Sequence, residues 1–123
     1  DMGDRGKALE AVNELEQLRN EGAAGYRQLT DAKIHAIRGG VLMQLNDLDH
    51  ALDEFKAATA TTVAWDAPSA GNAWLRLGEI HDLKGQRAQA IAAYREAMRV
   101  APETDAAMLA KTYVGSRYKK PAA

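Results

Sequence analysis

Residues 39–58, GGVLMQLNDLDHALDEFKAA, align without a gap on residues 78–97, GEIHDLKGQRAQAIAAYREA, at an offset of 39. Gly39 falls on Gly78, Ala51 on Ala90, Phe55 on Tyr94 and Ala58 on Ala97. Self-similarity at a fixed period marks an architecture of stacked supersecondary units, none of which buries its apolar face alone. A third, partial copy opens the chain: Gly3, Ala8, Val12 and Leu15 fall where Gly85, Ala90, Tyr94 and Ala97 fall later. The chain therefore reads as two whole units and one half.

The unit is helical. Alanine is abundant, prolines number only 3, and apolar residues recur at three and four rather than at two, so an all-α chain is expected. Breaks rich in Gly, Asn, Asp or Pro stand at 20–25, 45–47, 61–71, 83–86 and 101–104. They predict six helices, over 4–20, 26–45, 47–60, 71–84, 87–100 and 104–117. Short connections make neighbours antiparallel.

Residues 71–104 carry Trp74, Leu77, Gly78 and His81 in the pattern W-x2-L-G-x2-H, followed by Ala90, Tyr94, Ala97 and Pro102. This resembles the tetratricopeptide repeat, a helix–turn–helix unit of about 34 residues. His81 stands where that family usually has an aromatic residue. Residues 32–65 resemble it more distantly, with His35 for the tryptophan, Arg38 for the leucine and Leu42 for the aromatic. The resemblance implies a right-handed, tetratricopeptide-like array of antiparallel helix hairpins forming one domain over residues 1–123. Residues 3–20 would be the second helix of a half repeat, 32–65 a degenerate repeat, 71–104 a clear repeat and 105–118 a C-terminal capping helix. The two inter-repeat junctions are longer than the family's, which breaks the regularity of the superhelix. The chain opens on Asp1, so it is expected to be a piece of a longer one.

Packing physics leads to the same hairpin. Glycine inside a helix costs about 1 kcal/mol relative to alanine, so Gly78 needs a reason, and close approach of the partner helix supplies one. Gly78 and Ala97 are the expected contact points. Trp74, Leu77 and Ile80 would line one helix and Ile91, Tyr94 and Met98 the other, with Gly85 in the turn. In the last helix, Ala107, Met108, Lys111 and Val114 mix apolar and polar surface as an end cap does. At the other end, Leu9, Val12 and Leu15 need cover from helix 26–45, from upstream residues or from another molecule. Self-association into a homo-oligomer is therefore an expectation.

Several function classes find no support. Lys and Arg total 16 against 17 Asp and Glu, for a net charge of -1, so no basic stripe tracks a nucleic acid backbone. No apolar run approaches the roughly 20 residues that span a bilayer. Cysteine is absent, excluding disulfides and thiolate metal sites. His35, His50 and His81 lack metal-ligand spacing and read as structural. The acidic run 46–54 resembles a calcium loop only superficially, lacking the sixth-position glycine and the closing glutamate; its charge suits a helix N-terminus. No catalytic or phosphate-loop motif occurs, and Ser69 and Ser116 have nothing to orient them as nucleophiles. The reading is a non-enzymatic chain with no cofactor. Its compartment is open.

In the family that this chain resembles, the first helices of successive hairpins line a concave groove that holds a peptide. Position by position, the resemblance places Lys33, Ile37, Gly40, Met43 and Gln44 there from one hairpin, and Asn72, Leu75, Arg76, Glu79 and Asp82 from the next. Ala36 and Gly40 stand where one subgroup has the Lys and Asn that clamp a chaperone's terminal carboxylate, which disfavours that ligand. Arg76 is suited to grip a carboxylate, or else pairs along its own helix with Glu79 or Asn72. Trp65, in the inserted loop, either anchors a partner or folds back over the gap. The basic run SRYKK at 116–120 touches a partner or an acidic lipid, or is a solvated end. The expected function is protein or peptide binding as an adaptor; the alternatives are a self-assembly domain or an accessory domain of an enzyme lying upstream.

Overall fold

A computed structural model of the chain describes residues 2–23, 25, 30–61 and 67–120; Trp65 lies outside them. Among the described residues there are six helices and no strand: α1 (Met2–Asn20), α2 (Asp31–Gln44), α3 (Leu48–Thr61), α4 (Ala67–Leu83), α5 (Arg87–Val100) and α6 (Asp105–Gly115). Two boundaries differ from expectation by more than two residues. Helix α2 starts at Asp31 rather than near 26, because the Thr30 hydroxyl accepts the Lys33 N–H at 3.1 Å and caps it there. Helix α4 starts at Ala67 and takes in Pro68 and Ser69, since proline in a first helical turn forfeits an N–H that has no helical acceptor anyway.

The 39-residue offset reappears in three dimensions. Both hairpin turns place a residue in the left-handed region at the same register, Asn46 (φ 63°) and Gly85 (φ 76°). Each turn closes with the same pair of backbone bonds: Asn46 N–H to Met43 O and Asp47 N–H to Leu42 O, then Gly85 N–H to Asp82 O and Gln86 N–H to His81 O. These are the paired bonds that end a helix on a left-handed residue, and asparagine tolerates that conformation better than most.

The close approaches are also repeated. A methyl group placed on Gly78 would lie 2.3 Å from Tyr94 Cε1, and one on Gly39 would lie 2.9 Å from Phe55 Cε2. Glycine is therefore used where an aromatic ring of the second helix rests on the backbone of the first. This refines the expected Gly78–Ala97 contact: the ring of Tyr94 fills the space, while Ala97 and Ala101 face Gly71, about two turns earlier on α4.

Burial follows the stack. One apolar cluster joins the α2–α3 hairpin to the next, through Leu42, Ala51, Phe55, Leu77, Ile80 and Ala93. A second joins α4 and α5 to α6 through Leu75, Ala90, Tyr94, Ala97, Ala106 and Ala110. Helix α6 thus caps the array with alanines, whose small side chains let it sit close. Met108 is 67% exposed and stands outside that packed face. At the other end α2 covers α1: Val12 is buried, Leu9 packs on the first cluster, and Arg38 bonds Glu16 at 2.9 Å and Asn13 at 3.2 Å.

A candidate partner groove between α2 and α4

The first helices of the two hairpins flank a cavity of 540 Å3. From α2 it receives Ile37, Gly40, Val41, Met43 and Gln44, from the following turn Asn46, and from the start of α3 Leu48. Helix α4 contributes Arg76 and Leu83. The remaining wall comes from the segment after α6, through Tyr118 and Lys120. The surface is apolar on the α2 side, where Ile37 is 39% exposed, and cationic opposite.

Arg76 is fixed by a buried partner. Its Nη1 donates to Glu79 Oε1 at 2.7 Å, and the Glu79 side chain is only 2% exposed against 44% for Arg76. Burial pushes the Glu79 carboxyl above the ordinary glutamate range, and the bond and charge of Arg76 pull it partly back. The pair is intrahelical, as one sequence reading had it, but its carboxylate lies in the protein interior. Half of the arginine remains available to solvent.

One turn further along α4, Asp82 collects bonds from three residues on two other segments, α5 and the stretch after α6. Arg87 Nη1 donates to its two oxygens at 3.1 and 3.0 Å, the Tyr94 hydroxyl donates at 2.7 Å, and the backbone N–H of Tyr118 donates at 3.0 Å. The same Arg87 donates through Nη2 to the Tyr113 and Val114 carbonyls, at 2.7 and 2.9 Å, near the end of α6. A fully buried carboxylate is stable only with such compensation. Burial, donation to Asp82 and the charges of Asp82 and Glu79 together raise the Tyr94 phenol far above its usual range. The Tyr118 ring meets Tyr113 edge-on with centroids 5.2 Å apart, and burial pushes the phenols of both upward.

Of the residues expected in the groove, Ile37, Gly40, Met43, Gln44 and Arg76 come together around the cavity. Lys33 and Asn72 are exposed on α2 and α4 but outside its lining. Leu75, Glu79 and Asp82 are buried and offer no open surface, a correction with a plain cause: α6 packs over Leu75, and residues 116–120 close over the C-terminal part of α4. Sequence register missed Tyr118 and Lys120 because they lie outside any repeat; the only available signal was the SRYKK run itself. The histidines have local partners: His35 meets Glu54 at 2.6 Å, His50 meets Asp47 at 2.9 Å and His81 meets Gln86 at 2.8 Å. Among the described residues no three His, Cys, Asp or Glu side chains gather as a metal site would need. No helix among them is long and apolar enough to cross a membrane.

Stacked antiparallel hairpins, a capping helix and a groove between successive first helices define a helical-repeat protein. Residues 71–104, which span α5 and most of α4, match the family model described as Tetratricopeptide repeat. Residues 71–104 thus form a tetratricopeptide repeat within an all-helical array of hairpins; such repeats generally mediate protein–protein interaction and are typical of non-enzymatic proteins. No curated protein and no solved structure matches the chain.

Proposed function

We propose that the chain is a non-enzymatic adaptor that takes up a segment of a partner protein in the cavity between α2 and α4. The observation that carries this reading is the exposure of Ile37 in a concave wall with Val41 and Met43, where an apolar side chain of a partner gains burial. The two hairpins act as copies of one repeat, 32–65 diverged and 71–104 regular, with residues 3–20 as a half repeat and 105–118 as the cap. The shared positions of Asn46 and Gly85, and of the two glycine–aromatic contacts, support that division.

The test is selection of peptides from a random phage-displayed library on the immobilised chain, followed by fluorescence polarisation with the selected peptides. An Ile37→Asp variant, altered at an exposed position, should keep its helical circular dichroism and lose the peptides at least tenfold. Arg76 is the wrong residue to alter for this purpose, since its removal strands the buried Glu79. Undiminished binding by Ile37→Asp would locate the partner surface elsewhere.

A further inference from the structure

The segment after α6 is built into the wall of the cavity. Ser116 leaves the helix with extended angles (φ -148°, ψ 113°), and the chain turns back along α4. There the Tyr118 N–H is held by Asp82 and the Tyr118 ring by Tyr113, which brings Tyr118 and Lys120 to the cavity. Lys120 is exposed and makes no ion pair among the described residues. Together with the solvent-accessible part of Arg76 it gives the lining two cations, while none of the lining residues is a carboxylate.

We propose that residues 116–120 complete the partner site: Tyr118 and Lys120 contact the partner, Asp82 is the positioning residue that holds them, and the site selects a segment with an apolar anchor flanked by acidic residues. This rests on the groove reading above and adds the chemistry of the occupant. An apolar side chain seats against Ile37 and Met43, and a carboxylate beside it meets Lys120 and Arg76 across the cavity. A basic flank meets Lys120 and Arg76 with no acid in the lining to offset them, the Glu79 partner of Arg76 being buried beneath the surface. The run SRYKK is thus part of the recognition surface.

The experiment uses three peptide pools with the same fixed central pair of apolar residues and with flanking positions all acidic, all neutral polar or all basic. Retention on the immobilised chain is compared for the parent and for Lys120→Glu, Tyr118→Pro, Tyr118→Phe and Ile37→Asp. The parent should retain the acidic pool over the basic one, with the preference shrinking as salt rises. Lys120→Glu should lower the acidic-to-basic ratio about 3- to 10-fold, as expected when an exposed attraction becomes a repulsion. Tyr118→Pro, which removes the N–H given to Asp82, should lower it comparably although Lys120 is intact, and Tyr118→Phe should not. If Ile37→Asp retains the pools like the parent, the groove reading itself fails. If Ile37→Asp loses all pools while Lys120→Glu and Tyr118→Pro keep the parent's ratio, only the present inference is overturned. Higher retention of every pool by Tyr118→Pro would also overturn it, by making the segment a competitor of the partner. A parent that does not discriminate acidic from basic flanks would do the same.

Discussion

The contact between Gly78 and Tyr94 makes a prediction that runs against helix propensity. Alanine is favoured over glycine inside a helix by about 1 kcal/mol, so an unopposed Gly78→Ala change would stabilise the protein. The added methyl would lie 2.3, 2.4 and 2.8 Å from Cε1, Cδ1 and Cζ of Tyr94, where carbon atoms in contact stand about 3.5 to 4.0 Å apart. The ring must then move by about 1 Å. It has nowhere to go, being fully buried and held by its hydroxyl to Asp82 at 2.7 Å. Overpacking costs about 1–3 kcal/mol, and straining a hydrogen bond to a charged acceptor adds to it. A net loss of about 1–3 kcal/mol is expected for Gly78→Ala, and a larger one for Gly78→Leu. Gly40 is the control, since it is also inside a helix and a methyl there meets nothing within 4 Å. Gly40→Ala should gain about 0.5–1 kcal/mol. Gly39→Ala, whose methyl would lie 2.9 Å from Phe55, should fall between the two. Urea denaturation followed by circular dichroism reads all three as shifts of the midpoint, roughly 0.5–1 M downward for Gly78→Ala. Equal effects at Gly40 and Gly78, or a stabilised Gly78→Ala, would refute the packing account.

The Arg76–Glu79 pair should be asymmetric to mutation: Arg76→Ala costs about 1–3 kcal/mol by leaving a buried carboxylate uncompensated, while Glu79→Gln costs less than about 1. Because burial raises the native Glu79 value, the folded chain binds more protons than the unfolded one between the ordinary glutamate range and that raised value, so this group's contribution to stability falls as pH rises through the window. The Arg76→Ala deficit should accordingly be largest near neutral pH and shrink on acidification in chemical denaturation curves. Tyr94→Phe removes one of the donors to Asp82 and should cost about 1.5–3 kcal/mol, measurable in the same way. Thr104 caps α6 by accepting the Ala107 N–H at 3.2 Å. Thr104→Ala should cost about 1 kcal/mol and speed hydrogen exchange first in α6.

Elements of the fold that depend on local chemistry were legible in the sequence. The hairpin turns follow from Gly85 and from the break at 45–47, and a close helix approach follows from Gly78, although the side chain that meets it is Tyr94 rather than the expected Ala97. Helix starts were read less well. A cap at Thr30 looks from sequence like one polar residue among several, and Pro68 reads as a breaker until it is placed in a first turn. On α6, register alone could not tell which residues would pack. Ala106 and Ala110 win over Met108 because the gap beside Leu75 and Ala97 admits only small side chains.

The candidate site was legible on α2 and obscure on α4, although both helices carry the same register. Ile37 aligns with Arg76, Gly40 with Glu79 and Met43 with Asp82. A repeat assigns equivalent residues to equivalent faces, but their exposure depends on what stacks next, and here α4 is followed by α6 and residues 116–120 rather than by a second hairpin like its own. On α2 the positions of Ile37, Gly40 and Met43 border the cavity. On α4 two of the same three positions are enclosed, so Glu79 and Asp82 became a buried partner for Arg76 and a buried hub for Arg87, Tyr94 and Tyr118. Acidic residues at an interior position are expensive unless every one is compensated, and here each has an arginine. Two carboxylates at the groove positions of a repeat, with an arginine at i-3 for one and at i+5 for the other, are therefore better read as the anchorage of whatever covers that helix than as part of its ligand surface.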